Sequence, residues 1–293
     1  MKKLKAIGLS ILFGVGYITL FQFIGIGIGM LNLEGRWTGQ FLVEIAGLIL
    51  GMILIFIAKK QYALTEKGKP FGTYWVPVTG ILLFSLFRTA LMALITPKGA
   101  MHPVGEIVLF LVTILLVGVT EELVFRGIVM NILIEGFGTD TRFGAIFSVF
   151  FGGTLFGAVH LFNMFSGVDP LSATIQAIGA SGIGWILCAL YVRSRNLWVL
   201  ALMHAIFDIS GLIITALFGD ESLVESISAA SDLIGNITLP VIIGMMIGIG
   251  IVLTVFITLT LLMLRDSKMH YRKAVPVQMQ PEQPVPQMPD DMQ

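Results

Sequence analysis

Residues 106–134 read EIVLFLVTILLVGVTEELVFRGIVMNILI. About 20 mostly apolar residues suffice to cross a bilayer, and this run exceeds that while carrying Glu121, Glu122 and Arg126 near its middle. Working outward, seven more windows of the same kind fall at 4–31, 39–58, 75–95, 143–163, 171–192, 197–218 and 237–264. The runs are continuous rather than alternating, which argues against a spanning β-barrel. Composition agrees. Of 293 residues 56% are hydrophobic and 12% charged, about half the charge of a soluble domain. The reading is an all-α polytopic membrane protein with about eight transmembrane helices.

Eighteen basic and eighteen acidic residues cancel, leaving no basic face for nucleic acid. The lone Cys188 excludes an internal disulfide. The start, Met1-Lys2-Lys3-Leu4-Lys5, resembles a signal-peptide n-region. The apolar stretch after it is too long for a signal h-region and lacks a clean cleavage site, so it reads as a retained first span.

Orientation follows from Lys and Arg. With the N-terminus inside, the inner segments hold fourteen of the eighteen: Lys2, Lys3 and Lys5; Lys59, Lys60, Lys67 and Lys69; Arg142; Arg193 and Arg195; Arg265, Lys268, Arg272 and Lys273. Arg36 and Lys98 fall outside, and Arg88 and Arg126 lie within spans. Both termini are therefore expected in the cytoplasm. The loop 219–236, with Asp220, Glu221, Glu225 and Asp232, is expected to face outward.

The chain divides into helices one to three (1–105), helices four to seven (106–218), a last helix (237–264) and a Pro/Gln-rich cytoplasmic tail (274–293) expected to be disordered. No soluble second domain and no internal repeat is visible. The glycine pairs Gly47/Gly51, Gly153/Gly157 and Gly244/Gly248 suit close helix packing.

A charge at the centre of a span costs roughly 2.5–3.5 kcal/mol on the insertion scale, so such residues are functional candidates by default. Glu122 and Arg126 stand four apart, the spacing of an ion pair on one helix face. Glu121 points about 100° away from Glu122, so it is left as a carboxylate for acid or base work. His204 and Asp208 share a face at the same spacing in the seventh span, and His160 ends the fifth. Glu44 and Arg88 stand alone in the second and third spans; they could pair with each other or line the cavity, and a structural ion pair between them is the favoured reading.

Glu121-Glu122-x-x-x-Arg126, Phe156-x-x-x-His160 and His204-x-x-x-Asp208, in order on successive hydrophobic helices, resemble the CPBP family of intramembrane proteases. That family includes type II CAAX prenyl endopeptidases and the bacteriocin-processing and self-immunity (Abi) proteins. The resemblance covers roughly 105–215. It implies that Glu121 activates water for attack on a peptide carbonyl and that His160 orients or helps deprotonate that water. His204 and Asp208 would stabilise the oxyanion, while Glu122, Arg126 and Phe156 hold and tune the site. The prenyl-protein branch usually has Asn where Asp208 stands. An ionised Asp208 only accepts hydrogen bonds, so it must be protonated, orient His204, or ligate a metal. Metal-free glutamate chemistry is the expectation. The alternative is a Zn2+ site using Glu121, His160, His204 and Asp208.

The leading function is an endopeptidase reached from the cytoplasmic side, cutting a membrane-associated substrate: a lipidated peptide, or a leader or signalling peptide. Two rivals are a non-catalytic peptide-binding or bacteriocin-immunity protein, and a proton-coupled transporter, for which paired broken helices would be expected. Counted along straight helices, His160 and His204 stand about 15 Å apart in depth, which opposes convergence.

Overall fold

The computed structural model describes residues 2–95, 99–218 and 239–269. Among these there is no strand, and eight helices are long and apolar enough to span a bilayer. They are α1 (Lys2–Gly29), α2 (Thr38–Ile57), α3 (Trp75–Ile95), α4 (Val104–Glu122), α6 (Arg142–Val159), α7 (Pro170–Ser194), α8 (Leu197–Phe218) and α9 (Leu239–Met263). Helix α4 continues through a π-helical segment, Leu123–Met130, into α5 (Asn131–Phe137). Helix α6 runs on as a 3-10 helix, His160–Ser166, and a short α10 (Asp266–Met269) follows α9. The eight expected windows thus hold to within a few residues. The loop 219–236 and the tail 274–293 lie outside the described residues.

Local chemistry sets the boundaries. The Asp169 carboxylate accepts from the backbone N–H groups of Leu171 and Ser172 at 3.1 and 3.0 Å, with Pro170 opening α7. Gly138, at φ +73°, turns the chain out of α5. The Thr141 hydroxyl then caps α6 at the Gly144 N–H.

Small residues set the helix spacing. A Cβ on Gly153 would stand 2.6 Å from the Trp185 backbone nitrogen, and one on Gly118 would stand 2.6 Å from the Ala201 carbonyl oxygen. Gly157 abuts the Ala177 and Ser181 backbone in the same way, so α6–α7 and α4–α8 are backbone-to-backbone contacts. Gly47 and Gly51 receive Phe21 and Leu123. Gly248 has no atom of the described residues within 4 Å of an added Cβ, and Gly244 is outside the described side chains, so no close packing is seen at Gly248 among the described residues. Helix α7 is the central element: 61% of its apolar window is buried, against 11% for α1. The outer faces expose Leu83, Leu86 and Phe87 on α3 and Ile49 and Ile53 on α2. Such surface is intolerable in water and expected against lipid.

Span four is 34 residues long, about 50 Å, well beyond the ~30 Å hydrocarbon layer. Helix α8 does not start at its end. Leu197 and Trp198 share a small apolar cavity with Val119 and Leu123, so the first turn of α8 already lies beside the middle of span four. The α2–α3 connection fastens this turn. The Lys69 N–H donates to the Ser194 carbonyl at 2.7 Å, Trp198 Nε1 to the Leu64 carbonyl at 3.0 Å, and Arg195 pairs with Glu66 at 3.0 Å. Lys60 pairs with Glu135 at 2.5 Å. These basic residues gather at the end that the charge count assigns to the cytoplasm.

Gly153→Val should overpack the α6–α7 contact and cost about 1–3 kcal/mol. Gly250→Val, where no atom lies near the new Cβ, should leave stability nearly unchanged. Thermal unfolding of the two variants in detergent checks the contrast.

Candidate active site

Glu122 is the fixed point of the site. Its side chain is 0% exposed. One carboxylate oxygen, Oε1, accepts from the Arg126 guanidinium at 2.7 Å and from His204 Nδ1 at 2.9 Å. Burying an ion is costly unless it is paired and hydrogen-bonded, and both donors meet that need. Arg126, also 0% exposed, donates its other terminal nitrogen to the Gly184 carbonyl at 3.2 Å and lies over the Phe156 ring at 4.6 Å.

The π-helical segment that carries Arg126 was not legible as such in the sequence. Its i→i+5 bonding widens the turn and leaves carbonyls to be met from elsewhere. The Asn131 amide donates to the carbonyls of Arg126 and Gly127, at 3.2 and 2.9 Å, and to the Tyr191 hydroxyl at 2.8 Å.

His204 links the two glutamates. With Nδ1 on Glu122, its Nε2 stands 3.5 Å from Glu121 Oε2 and 3.4 Å from Asp208 Oδ2. The angular offset between Glu121 and Glu122 is thus spanned by one imidazole, a glutamate at each nitrogen. The side chains of Glu121 and Asp208 are 27% and 26% exposed, whereas His204 and Glu122 are at 4% and 0%. The first two are therefore the carboxylates that can meet water or substrate.

His160 sits where α6 passes into the 3-10 helix. Its Nδ1 is 2.9 Å from the Phe156 carbonyl, which only accepts, so Nδ1 carries the proton and Nε2 presents a lone pair. The Phe156 ring lies edge-on to both histidines, with centroid distances of 5.0 Å to His160 and 5.4 Å to His204. The histidine rings are no farther apart than those two distances laid end to end. The expected 15 Å separation in depth is corrected. It came from counting along straight helices of bilayer length, whereas span four is 34 residues long and α8 starts beside its middle.

The favoured pairing of buried Glu44 with part-buried Arg88 is corrected. Glu44 and Arg88 do not pair with each other. Glu44, 3% exposed, accepts from Gln40 one helical turn back at 2.7 Å and lies within electrostatic reach of Glu121 and Asp208. Arg88 donates to the Phe207 carbonyl at 2.9 Å, stacks over the Phe207 ring at 4.6 Å and lies within electrostatic reach of Asp208. Its guanidinium occupies the space that a side chain at position 211 would take, and Gly211 leaves it open. Spacing along the chain gave no signal for either placement, because each depends on which helices are neighbours.

A zinc ion needs three or four donors, each about 2.0–2.2 Å away. Among the described residues no group of three or more His, Cys, Asp or Glu side chains is arranged to hold a metal ion. Both histidines commit Nδ1 to a protein acceptor and keep Nε2 toward the site, an orientation that metal-bound histidines also show.

Residues 103–210 match the family described as Type II CAAX prenyl endopeptidase Rce1-like. The match covers α4 through most of α8 and contains all three motifs, and it is the resemblance that the motifs carry. The chain matches no curated protein and no solved structure in these comparisons.

Arg126→Ala should destabilise the protein by about 3–5 kcal/mol, since it strands a buried carboxylate. Glu121→Gln, at a partly exposed position, should retain wild-type folded yield. Detergent-solubilised yield and unfolding temperature separate the two.

Proposed function

We propose that this protein is an intramembrane endopeptidase that hydrolyses a peptide bond in a membrane-associated peptide or protein. One observation carries the reading: a single buried imidazole is gripped between a fully enclosed Glu122 and a solvent-reaching Glu121, with Asp208 beside the same nitrogen. The match of this region to an endopeptidase family supports it. Binding alone needs no such constellation. Paired broken helices, which a transporter would favour, are not seen among the described residues.

In this reading Glu121 takes a proton from a water whose oxygen attacks the carbonyl carbon. The lone pair on His160 Nε2 helps to orient that water. The oxyanion is stabilised from the side of His204 and Asp208. Because the Nδ1 proton of His204 is committed to Glu122, donation from Nε2 requires the doubly protonated ring. Asp208, 3.4 Å from that nitrogen, orients it. The proton on Glu121 then passes to the departing amine, which completes hydrolysis with one water consumed. The chemistry is proposed as metal-free. Both termini and the route to the site are placed on the cytoplasmic side, on the strength of the Lys/Arg distribution. Substrates would be proteins or peptides at the membrane, lipidated ones and leader or signalling peptides included.

Cleavage of a quenched-peptide library that includes lipidated members should fall at least about 100-fold in Glu121→Gln and survive a strong zinc chelator. Equal rates for wild type and Glu121→Gln would overturn the mechanism. Cleavage stopped by the chelator and restored by zinc would replace it with the metal-dependent form.

A further inference from the structure

A cavity of about 610 Å3 lies between α3, α7 and α9, with Phe207 of α8 also in its lining. Its walls are apolar: Val76 and Phe84 from α3, Ile183 and Ile186 from α7, Val255 and Leu259 from α9. Helix α9 docks on α7 by setting the Phe256 ring against Gly182, and Phe256 meets Phe84 edge-on at 6.2 Å. The cavity is the gap around that contact, lined from α3, α7 and α9.

One end of the cavity is lined by Arg193, Arg265 and Lys268. Arg193 is 7% exposed, donates to the Thr73 carbonyl, and keeps its Nε without a hydrogen-bond partner among the described residues. Arg193 and Arg265 lie within electrostatic reach of each other. No carboxylate forms an ion pair with any of the three among the described residues. Three cations, without a carboxylate ion-paired to them among the described residues, therefore line the mouth of a greasy slot at the end where the inner leaflet would lie. An apolar slot between spans with a basic mouth on that side complements one occupant, an amphiphile with an anionic head.

We infer that this cavity binds an anionic glycerophospholipid, its acyl chain between α3 and α9 and its phosphate among Arg193, Arg265 and Lys268. The site is independent of the hydrolase reading. The lipid fills a gap that protein side chains leave open and cancels the repulsion between the two arginines, so it fastens α9 to the bundle.

The full-length protein in detergent, offered equal amounts of phosphatidylglycerol and phosphatidylcholine with identical chains, is read by native mass spectrometry. Each cation near an anionic headgroup contributes about five-fold. Wild type should therefore retain phosphatidylglycerol with a preference of about 100-fold, and Arg265→Gln/Lys268→Gln, which leaves only Arg193, should lower that preference to about five-fold. Both residues are exposed, so the double variant should fold. Gly80→Leu projects a side chain from the α3 wall into space with no atom near the new Cβ, and should reduce retention of both lipids alike. Equal retention of the two lipids by wild type overturns the inference, as does an undiminished preference in the double variant. Unchanged lipid retention in Gly80→Leu also overturns it. A dimer that forms when lipid is stripped and is lost in Gly80→Leu would assign the slot to a second copy of the chain instead.

Discussion

The carboxylate of Glu122 is withdrawn from solvent completely, and an anion in that position is tolerable only while both Arg126 and His204 donate to it. Each donor is in turn held by something else. Arg126 is fixed by the Gly184 carbonyl and the Phe156 face, which ties α4 to α6 and α7. His204 brings α8 against α4, where Gly118 lets the backbone of Ala201 approach. One buried charge thus dictates the relative placement of four helices. The partly exposed groups, Glu121 and Asp208, take their positions from it.

That arrangement divides the labour between two adjacent residues of the same type. Glu122 is fully enclosed and holds both Arg126 and His204 through its Oε1, so it is engaged as a buried anion rather than presented to water. Glu121 makes its approach to His204 at 3.5 Å and retains an exposed side. Identical side chains one position apart acquire different chemistry because the helix turns one of them inward and leaves the other at the rim.

The fold was readable because each span is a run of apolar residues about as long as a bilayer is thick, a property of consecutive positions. The Glu122–Arg126 pair and the His204–Asp208 approach were readable for the same reason, both being four-residue spacings on one helix. What failed was anything that depends on how one helix is seated against another. The depth of His160 against His204 turned on where α8 begins beside span four. The partners of Glu44 and Arg88 turned on which helices are adjacent, and the π-helical widening at Leu123–Met130 left no trace in spacing. The Gly153 and Gly157 contacts fall between these cases: the small residues were visible, but the surfaces that they admit were not.

Phe156 bears no group that can move a proton, yet its ring touches Arg126, Phe125, His160 and His204 at once, and its carbonyl sets the tautomer of His160. A survey that ranked positions only by lost turnover would group it with the acids and bases. Truncating the ring would release four neighbours together, whereas removing a single carboxylate changes one step. Loss of turnover at this site therefore does not by itself identify a chemical participant. Here, shape and proton transfer are distinguished by whether structure survives the substitution.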